Sequence, residues 1–257
     1  MTPLEVIGAL VIGAAMGLLG GGGSILMVPV FVYAAHLDPK MAVAASLPVV
    51  AITSASAALV HWRQGNVQVR TALIYGTTAA VGSFAGAVLA SMISGATQLL
   101  LLAFVMLVAA FRMAFASNPV NEMVPNAKPI AFATLLPVAL SVGVLTGIVG
   151  VGGGFLIVPT LVIICYLPMR VAVGTSLLVI AMNAASGAAG YAGQIPVPWH
   201  FVLVFSAVAI VGSLIGSRFS TRLPQTALRK GFSVLLVGLS ILILVQNRQV
   251  FAGWLPT

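Results

Sequence analysis

Apolar residues form eight long runs along the chain, separated by short polar stretches. The runs of the first half cover residues 4–36, 41–62, 71–93 and 98–115, and those of the second half cover 132–167, 171–192, 200–220 and 228–246. The last three runs in each half have the length of about 20 residues that a helix needs to cross a bilayer. The pattern therefore predicts an all-α integral membrane protein.

The first run of each half is too long for a single crossing. A helix of more than thirty residues extends about 50 Å, whereas the hydrocarbon core of a bilayer is about 30 Å thick. Each of these two runs contains a glycine cluster, GLLGGGGSILMVP at 17–29 and GIVGVGGGFLIVP at 147–159. The clusters predict that each first run is a broken, re-entrant helix hairpin.

The two halves are an internal repeat with an offset of 130 residues. This shift overlays the glycine clusters with seven identities in thirteen positions, and it carries KMAVAASL (40–47) onto RVAVGTSL (170–177). It also overlays GSFAG (82–86) on GSLIG (212–216), small-residue patterns that indicate close helix packing. We divide the chain into a first repeat (1–115), a polar, proline-rich linker (116–129) and a second repeat (130–257), within one transmembrane domain.

The distribution of basic residues favours the hairpin reading. If both first runs return to the side from which they enter, nine Lys and Arg residues share one side of the membrane and only Lys40 and Arg248 lie opposite. A single crossing by each first run leaves no such bias, and an excess of Lys and Arg marks the cytoplasmic side. This count predicts six crossings, two inverted repeats and periplasmic termini, which is an architecture of secondary transporters. The first residues carry no Lys or Arg ahead of the apolar run, which argues against a cleaved signal peptide.

The composition excludes several classes of function. With 61% hydrophobic and 5% charged residues, the net charge of +8 comes from single basic residues between apolar runs, so it indicates lipid contacts and not nucleic-acid binding. One cysteine, Cys165, three histidines and three carboxylates predict no metal site, no cofactor and no catalytic centre. No Asp or Glu lies in the middle of an apolar run, which argues against a proton or sodium site built on buried carboxylates.

The glycine clusters are candidate anion sites. Broken backbone at membrane depth must face protein or a wet cavity, and amides at a helix start attract negative charge without a basic side chain. The alternative is that the glycines only permit close packing or a kink. The candidate ligand-binding residues in the clusters are Gly20, Gly21, Gly22, Gly23, Ser24, Gly150, Gly152, Gly153 and Gly154.

Polar residues in the run that follows each cluster add candidate donors. The substrate-binding candidates there are Ser46, Thr53, Thr175, Ser176 and Asn183. Hydroxyls and an amide suit an oxyanion that must also be released, although Ser and Thr in membrane helices often bond to their own preceding turn. Candidate gate residues at the ends of these runs are His61, Trp62, Gln64, Tyr191 and Gln194, for which interfacial anchoring is the alternative.

The paired glycine motifs, each followed by AVAASL or AVGTSL, resemble those of the TauE/SafE sulfite exporter family. The resemblance spans nearly the whole chain and implies a bacterial inner-membrane permease for sulfite, sulfonates or related sulfur anions. Its motif positions here are Gly20, Gly22, Gly23, Pro29, Ser46, Leu47, Gly150, Gly152, Gly153, Pro159, Ser176 and Leu177. In the second motif, Val151 stands at the position of Gly21 in the first, and Gly154 stands at the position of Ser24. The two half-sites are therefore not equivalent.

The sequence thus predicts a secondary transporter, an exporter of small sulfur-containing anions that works by alternating access. A passive anion channel and an uptake permease for a related sulfur oxyanion are the alternatives, and a membrane redox enzyme is disfavoured by the single cysteine. The expected partners are the anion and membrane lipid, with a homo-oligomer left open.

Overall fold

The computed structural model describes residues 2–90, 92–115, 132–149, 153–220 and 225–246, and over these ranges it is all-helical. The first half contains α1 (Pro3–Leu19), a 3-10 segment (Gly20–Leu26), α2 (Met27–Tyr33), α3 (Pro39–Arg63), α4 (Val69–Ala90) and α5 (Gly95–Phe115). The second half contains α6 (Phe132–Val149), α7 (Gly154–Ile163), α8 (Met169–Tyr191), α9 (Trp199–Ser220) and α10 (Gln225–Gln246). The predicted linker, 116–129, lies outside the described residues.

Local sequence signals set the starts of the first helices. The Thr2 hydroxyl accepts a hydrogen bond from the Glu5 N–H, and the Glu5 carboxylate accepts one from the Thr2 N–H, which forms a capping box ahead of Pro3. The Asp38 carboxylate accepts a hydrogen bond from the Lys40 N–H and caps the start of α3.

Five stretches among the described residues are long and apolar enough to cross a membrane. They are Pro3–Tyr33, Pro39–Arg63, Val69–Ala90, Met169–Tyr191 and Trp199–Ser220. The last four coincide with predicted crossings, whereas the first is the run for which the sequence predicts a hairpin. The predicted crossings at α5 and α10 are not among the five. These helices make the protein a multi-pass membrane protein.

The 130-residue offset recurs in the helix boundaries. Helices α3 and α8 begin at residues 39 and 169, α4 and α9 at 69 and 199, and α5 and α10 at 95 and 225. The turn before α3 contains His36 with φ 52°, and the turn before α8 contains Tyr166 with φ 50°. Non-glycine residues seldom adopt positive φ, so the two halves share an unusual turn as well as a sequence pattern.

The two halves pack through reciprocal glycine contacts. A methyl group placed on Gly13 in α1 would lie 2.0 Å from the Ala209 carbonyl oxygen in α9. One placed on Gly143 in α6 would lie 2.1 Å from the Ala79 carbonyl oxygen in α4. Each residue of the second pair differs by 130 from a residue of the first pair. Each half therefore packs the helix before its interruption against the other half.

The small-residue patterns make the same kind of contact. Gly82 and Gly86 in α4 lie against the Leu140 and Val144 carbonyls of α6, and Gly212 and Gly216 in α9 lie against those of Leu10 and Ala14 in α1. A side chain at any of these positions would meet main chain. The packing role predicted for GSFAG and GSLIG is confirmed.

Helices α3 and α8 pack side by side in opposite directions. A methyl group on Gly174, near the start of α8, would lie 3.0 Å from the His61 Cβ near the end of α3. One on Gly187, near the end of α8, would lie 3.4 Å from Leu47 Cδ1 in the first half of α3.

The chain doubles back after α1. A methyl group on Gly23 would lie 2.3 Å from the Met16 nitrogen, and one on Gly8 would lie 3.4 Å from Val30 Cγ1. The 3-10 segment and α2 thus run back along α1 as the second arm of a hairpin.

We expect Gly13→Ala and Gly143→Ala to lower stability to a similar degree, by about 1–3 kcal/mol each, because the added methyl forces two helices apart. The measurement is the melting temperature of the detergent-solubilised protein. The matched control is Gly238→Ala in α10, where nothing lies within 4 Å of the added carbon. This substitution should be neutral or stabilising by up to about 1 kcal/mol, since alanine favours helix. Unchanged melting in the first two variants would contradict the reciprocal packing.

Candidate functional site

The two glycine interruptions meet main chain to main chain. A methyl group on Gly21 would lie 1.8 Å from the Gly154 Cα, and one on Gly154 would lie 1.9 Å from the Gly21 Cα. The residues Gly20–Ser24, Gly153 and Gly154 are all buried. Glycine is required at this crossing because a side chain on either residue would overlap the other strand of backbone.

The first interruption is a 3-10 helix and not an open break. Gly20 begins it at φ 68°, and its last turn continues into α2 through a hydrogen bond from the Met27 N–H to the Ser24 carbonyl. The sequence predicts that the amides at this restart have no helical partners. In the structure, the amides nearest α2 donate the i→i+3 hydrogen bonds of the 3-10 segment instead.

The second interruption ends at a fresh helix start. Gly153 adopts φ 82°, and its carbonyl accepts hydrogen bonds from the N–H groups of Leu156 and Ile157 in α7. The amides of Gly154 and Phe155 precede the first intrahelical bond, as they do at any α-helix start. The start of α7 thus lies against the Gly21 main chain, and its first two amides stand outside the intrahelical hydrogen-bond pattern.

A buried polar pair lies beside Gly153. The Asn183 Nδ2 donates a 2.6 Å hydrogen bond to the Thr146 Oγ1, and the Thr146 hydroxyl donates to the Gly143 carbonyl at 2.9 Å. A methyl group on Gly153 would lie 3.1 Å from Asn183 Nδ2 and 2.4 Å from Thr146 Cγ2. Asn183, one of the substrate-binding candidates from the sequence, therefore lies beside the second interruption.

Sequence reasoning missed Thr146. It stands in an apolar run just before the glycine cluster, where a threonine is unremarkable in a membrane helix. The signal that identifies it is its departure from the repeat, since the equivalent position in the first half is Met16.

Thr53 is the repeat equivalent of Asn183 and is completely buried in α3. Its Oγ1 has no hydrogen-bond partner among the described residues. A buried hydroxyl without a partner is costly, and a threonine hydroxyl can both donate and accept a hydrogen bond.

The candidate serines direct their hydroxyl protons to nearby carbonyls. Ser24 donates to the Gly21 carbonyl at 2.6 Å, Ser46 to that of Val43 at 2.8 Å, and Ser176 to that of Val173 at 2.8 Å. The Ser176 Oγ lies 2.8 Å from the position of a methyl group on Gly20. These hydroxyls lie at the interruptions or in the helices beside them, but they must rotate before they can donate to an anion.

The remaining candidates are placed as follows. The Thr175 Oγ1 accepts a hydrogen bond from the Gln68 N–H at 2.9 Å, so its side chain holds the turn between α3 and α4. Gly22 is buried within the 3-10 segment. Gly150 and Gly152 lie outside the described residues.

Two gate candidates bind the helices that lead into the interruptions. His61, buried near the end of α3, pairs through Nε2 with the Gly17 carbonyl at 3.0 Å. Tyr191, buried at the end of α8, donates through its hydroxyl towards the Gly147 and Ile148 carbonyls at 3.3 and 3.4 Å. His61 and Tyr191 are repeat equivalents, as are Gly17 and Gly147. The helix before each interruption is thus held at the same repeat position by a chemically different side chain, and we call these two contacts the tethers.

Gln98 strengthens the second tether and was also missed by sequence reasoning. It is buried in α5, and its Nε2 donates to the Ile148 carbonyl at 3.0 Å and to the Tyr191 hydroxyl at 3.1 Å. The other gate candidates, Trp62, Gln64 and Gln194, have exposed side chains at the helix ends. Their positions fit interfacial anchoring.

In the part of the chain that the structure describes, no cluster of three or more His, Cys, Asp or Glu side chains is placed to hold a metal ion. Cys165 lies in the turn before α8, and burial raises the pKa of its thiol to about 11.

The chain is similar to several curated proteins over nearly its whole length. It is 30% identical over 241 residues to a probable membrane transporter protein of Xylella fastidiosa (strain Temecula1), which covers 92% of both chains. It is 30% identical over 225 residues to the probable membrane transporter protein YdhB of Bacillus subtilis (strain 168), covering 85% of this chain and 90% of that protein. Similarity extends to the probable membrane transporter protein MJ0441 of Methanocaldococcus jannaschii, at 25% identity over 95% of this chain and 96% of that protein. No solved structure matches the chain.

A family model described as "Sulfite exporter TauE/SafE" matches residues 6–243, from α1 to α10. The match includes both glycine interruptions and both tethers. The protein therefore belongs to the TauE/SafE family and is a membrane transporter.

Proposed function

We propose that the protein exports small sulfur-containing anions, such as sulfite or an organosulfonate, across the bacterial inner membrane. The observation that carries this proposal is the contact of the Gly21 and Gly154 main chains, which brings together two interruptions lined by buried polar groups. The family description supports the choice of a sulfur anion.

The donors suited to such an anion are neutral. The amides at the start of α7, the Asn183 side chain and the Thr53 hydroxyl provide hydrogen bonds, and the helix start adds a favourable dipole. Neutral donors orient an oxyanion but hold it less tightly than an arginine does, which suits a molecule that must be released.

We propose further that the two halves are inverted repeats with six crossings, two re-entrant hairpins and periplasmic termini. Three features support this topology: the opposite directions of α3 and α8, the fold-back after α1, and the nine-to-two distribution of basic residues.

In the proposed mechanism, access alternates between the two sides of the membrane. The His61 tether closes the site towards the cytoplasm, and the Tyr191–Gln98 tether closes it towards the periplasm. The membrane potential, negative inside, favours export of an anion by about 2.3 kcal/mol per charge per 100 mV.

The central test is flux in proteoliposomes supplied with sulfite or methanesulfonate, with and without an imposed voltage. We expect saturable transport with counterflow, and Thr53→Val should lower it about tenfold because a charge-assisted hydrogen bond contributes about 1.5–3 kcal/mol. Thermal stability should be unchanged or higher in this variant, since it removes a buried hydroxyl without a partner.

The matched control is Thr77→Val, because this hydroxyl is exposed and bonded to the Leu73 carbonyl of its own helix. Both activity and stability should be unchanged there. Wild-type flux in Thr53→Val would remove Thr53 from the site. Single-channel currents without counterflow would identify a passive channel, and transport of neither anion would refute the proposed substrate class.

Topology is tested with one cysteine at a time in a Cys165→Ala background. His36→Cys and Tyr166→Cys are a matched pair, since both residues are exposed, have similar positive φ and precede repeat-related helices. In intact cells, a membrane-impermeant maleimide should label the cysteine at residue 36 but not the one at 166. If each first run crossed once, the two positions would lie on the same side and label alike.

Each tether is tested by removing its hydrogen bonds. We expect Tyr191→Phe to raise periplasmic labelling of Ser176→Cys, in the Cys165→Ala background, and His61→Phe to raise cytoplasmic labelling. A net hydrogen bond of about 1 kcal/mol predicts a several-fold shift. Trp62→Phe, at an exposed neighbour of His61, is the control. Equal labelling from both sides in either variant would contradict the assignment of the tethers.

A further inference from the structure

His61 is a buried imidazole that holds the end of a neighbouring helix. It lies in the last turn of α3 with 1% of its surface exposed, and its Nε2 lies 3.0 Å from the Gly17 carbonyl oxygen. A carbonyl only accepts hydrogen bonds, so Nε2 carries the proton in this contact. Gly17 belongs to the last turn of α1, where carbonyls lack intrahelical partners, and the imidazole N–H therefore satisfies one of them.

The other ring nitrogen of His61 is enclosed by protein. Its Nδ1 is buried and has no hydrogen-bond partner among the described residues. The side chain is packed at its base, since a methyl group on Gly174 of α8 would lie 3.0 Å from the His61 Cβ and against the Asn66 carbonyl. In the neutral ring Nδ1 is an acceptor, but in the imidazolium it becomes a second donor. The closed tether thus fits the neutral ring.

The charged residues near this contact are mainly basic. His61 contacts α1 and α8, and Ser217 of α9 lies beside Gly17. The charged residues of these helices, of the end of α3 and of the start of α4 are Glu5, Arg63, Arg70, Arg170 and Arg218. Arg170 is half-buried one turn before Gly174, whereas Glu5 is about 18 Å from Gly17 along α1. Like charge at this distance disfavours an imidazolium.

The neutral and protonated rings differ in the cost of burial. A charge on the ring strengthens the hydrogen bond to the Gly17 carbonyl and suits the negative end of α1. A buried ion, however, loses its hydration, and it regains stability only where all of its donors find acceptors. The Nδ1–H of a protonated His61 would have none among the described residues, and Arg170 would repel it. Protonation therefore works against the closed tether.

We infer that the His61 tether is a pH switch, in which protonation of Nδ1 breaks the contact with Gly17 and opens the site towards the cytoplasm. This inference rests on the proposed function and adds regulation to its cytoplasmic gate. Once released, the imidazole reaches water, where histidine ionises near pH 6.5. Opening therefore takes up one proton, so that an acidic cytoplasm favours the open gate. The other tether uses Tyr191, and tyrosine does not ionise in this range.

The experiment labels one cysteine from both sides of the membrane. Ser176→Cys in the Cys165→Ala background is exposed to a membrane-impermeant maleimide in right-side-out and inside-out vesicles, without substrate and with equal pH on both sides. The ratio of cytoplasmic to periplasmic labelling cancels the effect of pH on the reagent and the thiol. We expect this ratio to rise about tenfold from pH 7.5 to pH 5.5, as uptake of one proton near pH 6.5 requires.

Substitutions by neutral amides separate the histidines. His61→Gln keeps a side-chain donor without a titratable group, so its labelling ratio should stay constant across this range. His61→Asn is a second neutral variant with the same expected result. His200→Gln is the matched control, because His200 is exposed at the start of α9, and this variant should keep the full rise. The melting temperature at pH 7.5 establishes that each variant is folded.

The outcomes distinguish the switch from transport itself. A ratio that is flat or falls towards pH 5.5, or a rise that persists without His61, would overturn the switch and leave anion export in place, because the assay needs no substrate. Labelling from one side only, or from neither, at every pH would overturn alternating access and with it the proposed function. A tenfold rise confined to proteins that contain His61 is the result that supports the switch.

Discussion

The direct contact between the Gly21 and Gly154 main chains is the constraint on which the rest of the fold depends. Backbone that leaves the α-helical pattern inside a bilayer must be covered by protein, because lipid offers no hydrogen bonds. The chain meets this requirement by pressing Gly21 and Gly154 together and packing Gly20 and Gly153 against α8. The many close glycine contacts between helices follow from that need, since each allows backbones to approach without side chains between them.

The same crowding limits which groups are available for chemistry. The bonds of the 3-10 segment and of the serine hydroxyls occupy donors that the sequence alone leaves open. The Thr53 hydroxyl, by contrast, has no partner among the described residues. The two halves also differ, because Asn183 rests on Thr146 in the second half whereas the first half has Thr53 and Met16 at those positions. The two interruptions therefore have chemically different neighbours inside a nearly symmetric frame.

Much of the fold was predictable because it depends on run length, repeat offset and small-residue spacing. The helix boundaries agree with the apolar runs to within a few residues, and the packing of Gly82 and Gly212 follows from their patterns. The site was less predictable, since its contacts join residues far apart in sequence. Gln98 reaches Tyr191 across 93 positions, and no periodicity marks it. The conformation of the first interruption depends on tertiary crowding, which a run of glycines does not encode.

The reciprocal packing has a consequence for how the chain is made. Gly13 and Gly17 of α1 pack against α9. Helix α9 leaves the ribosome about two hundred residues after α1. Until then the glycine face of α1 lacks the helix against which it packs. The first hairpin must therefore be covered by lipid or by the translocation machinery until α9 has been synthesised.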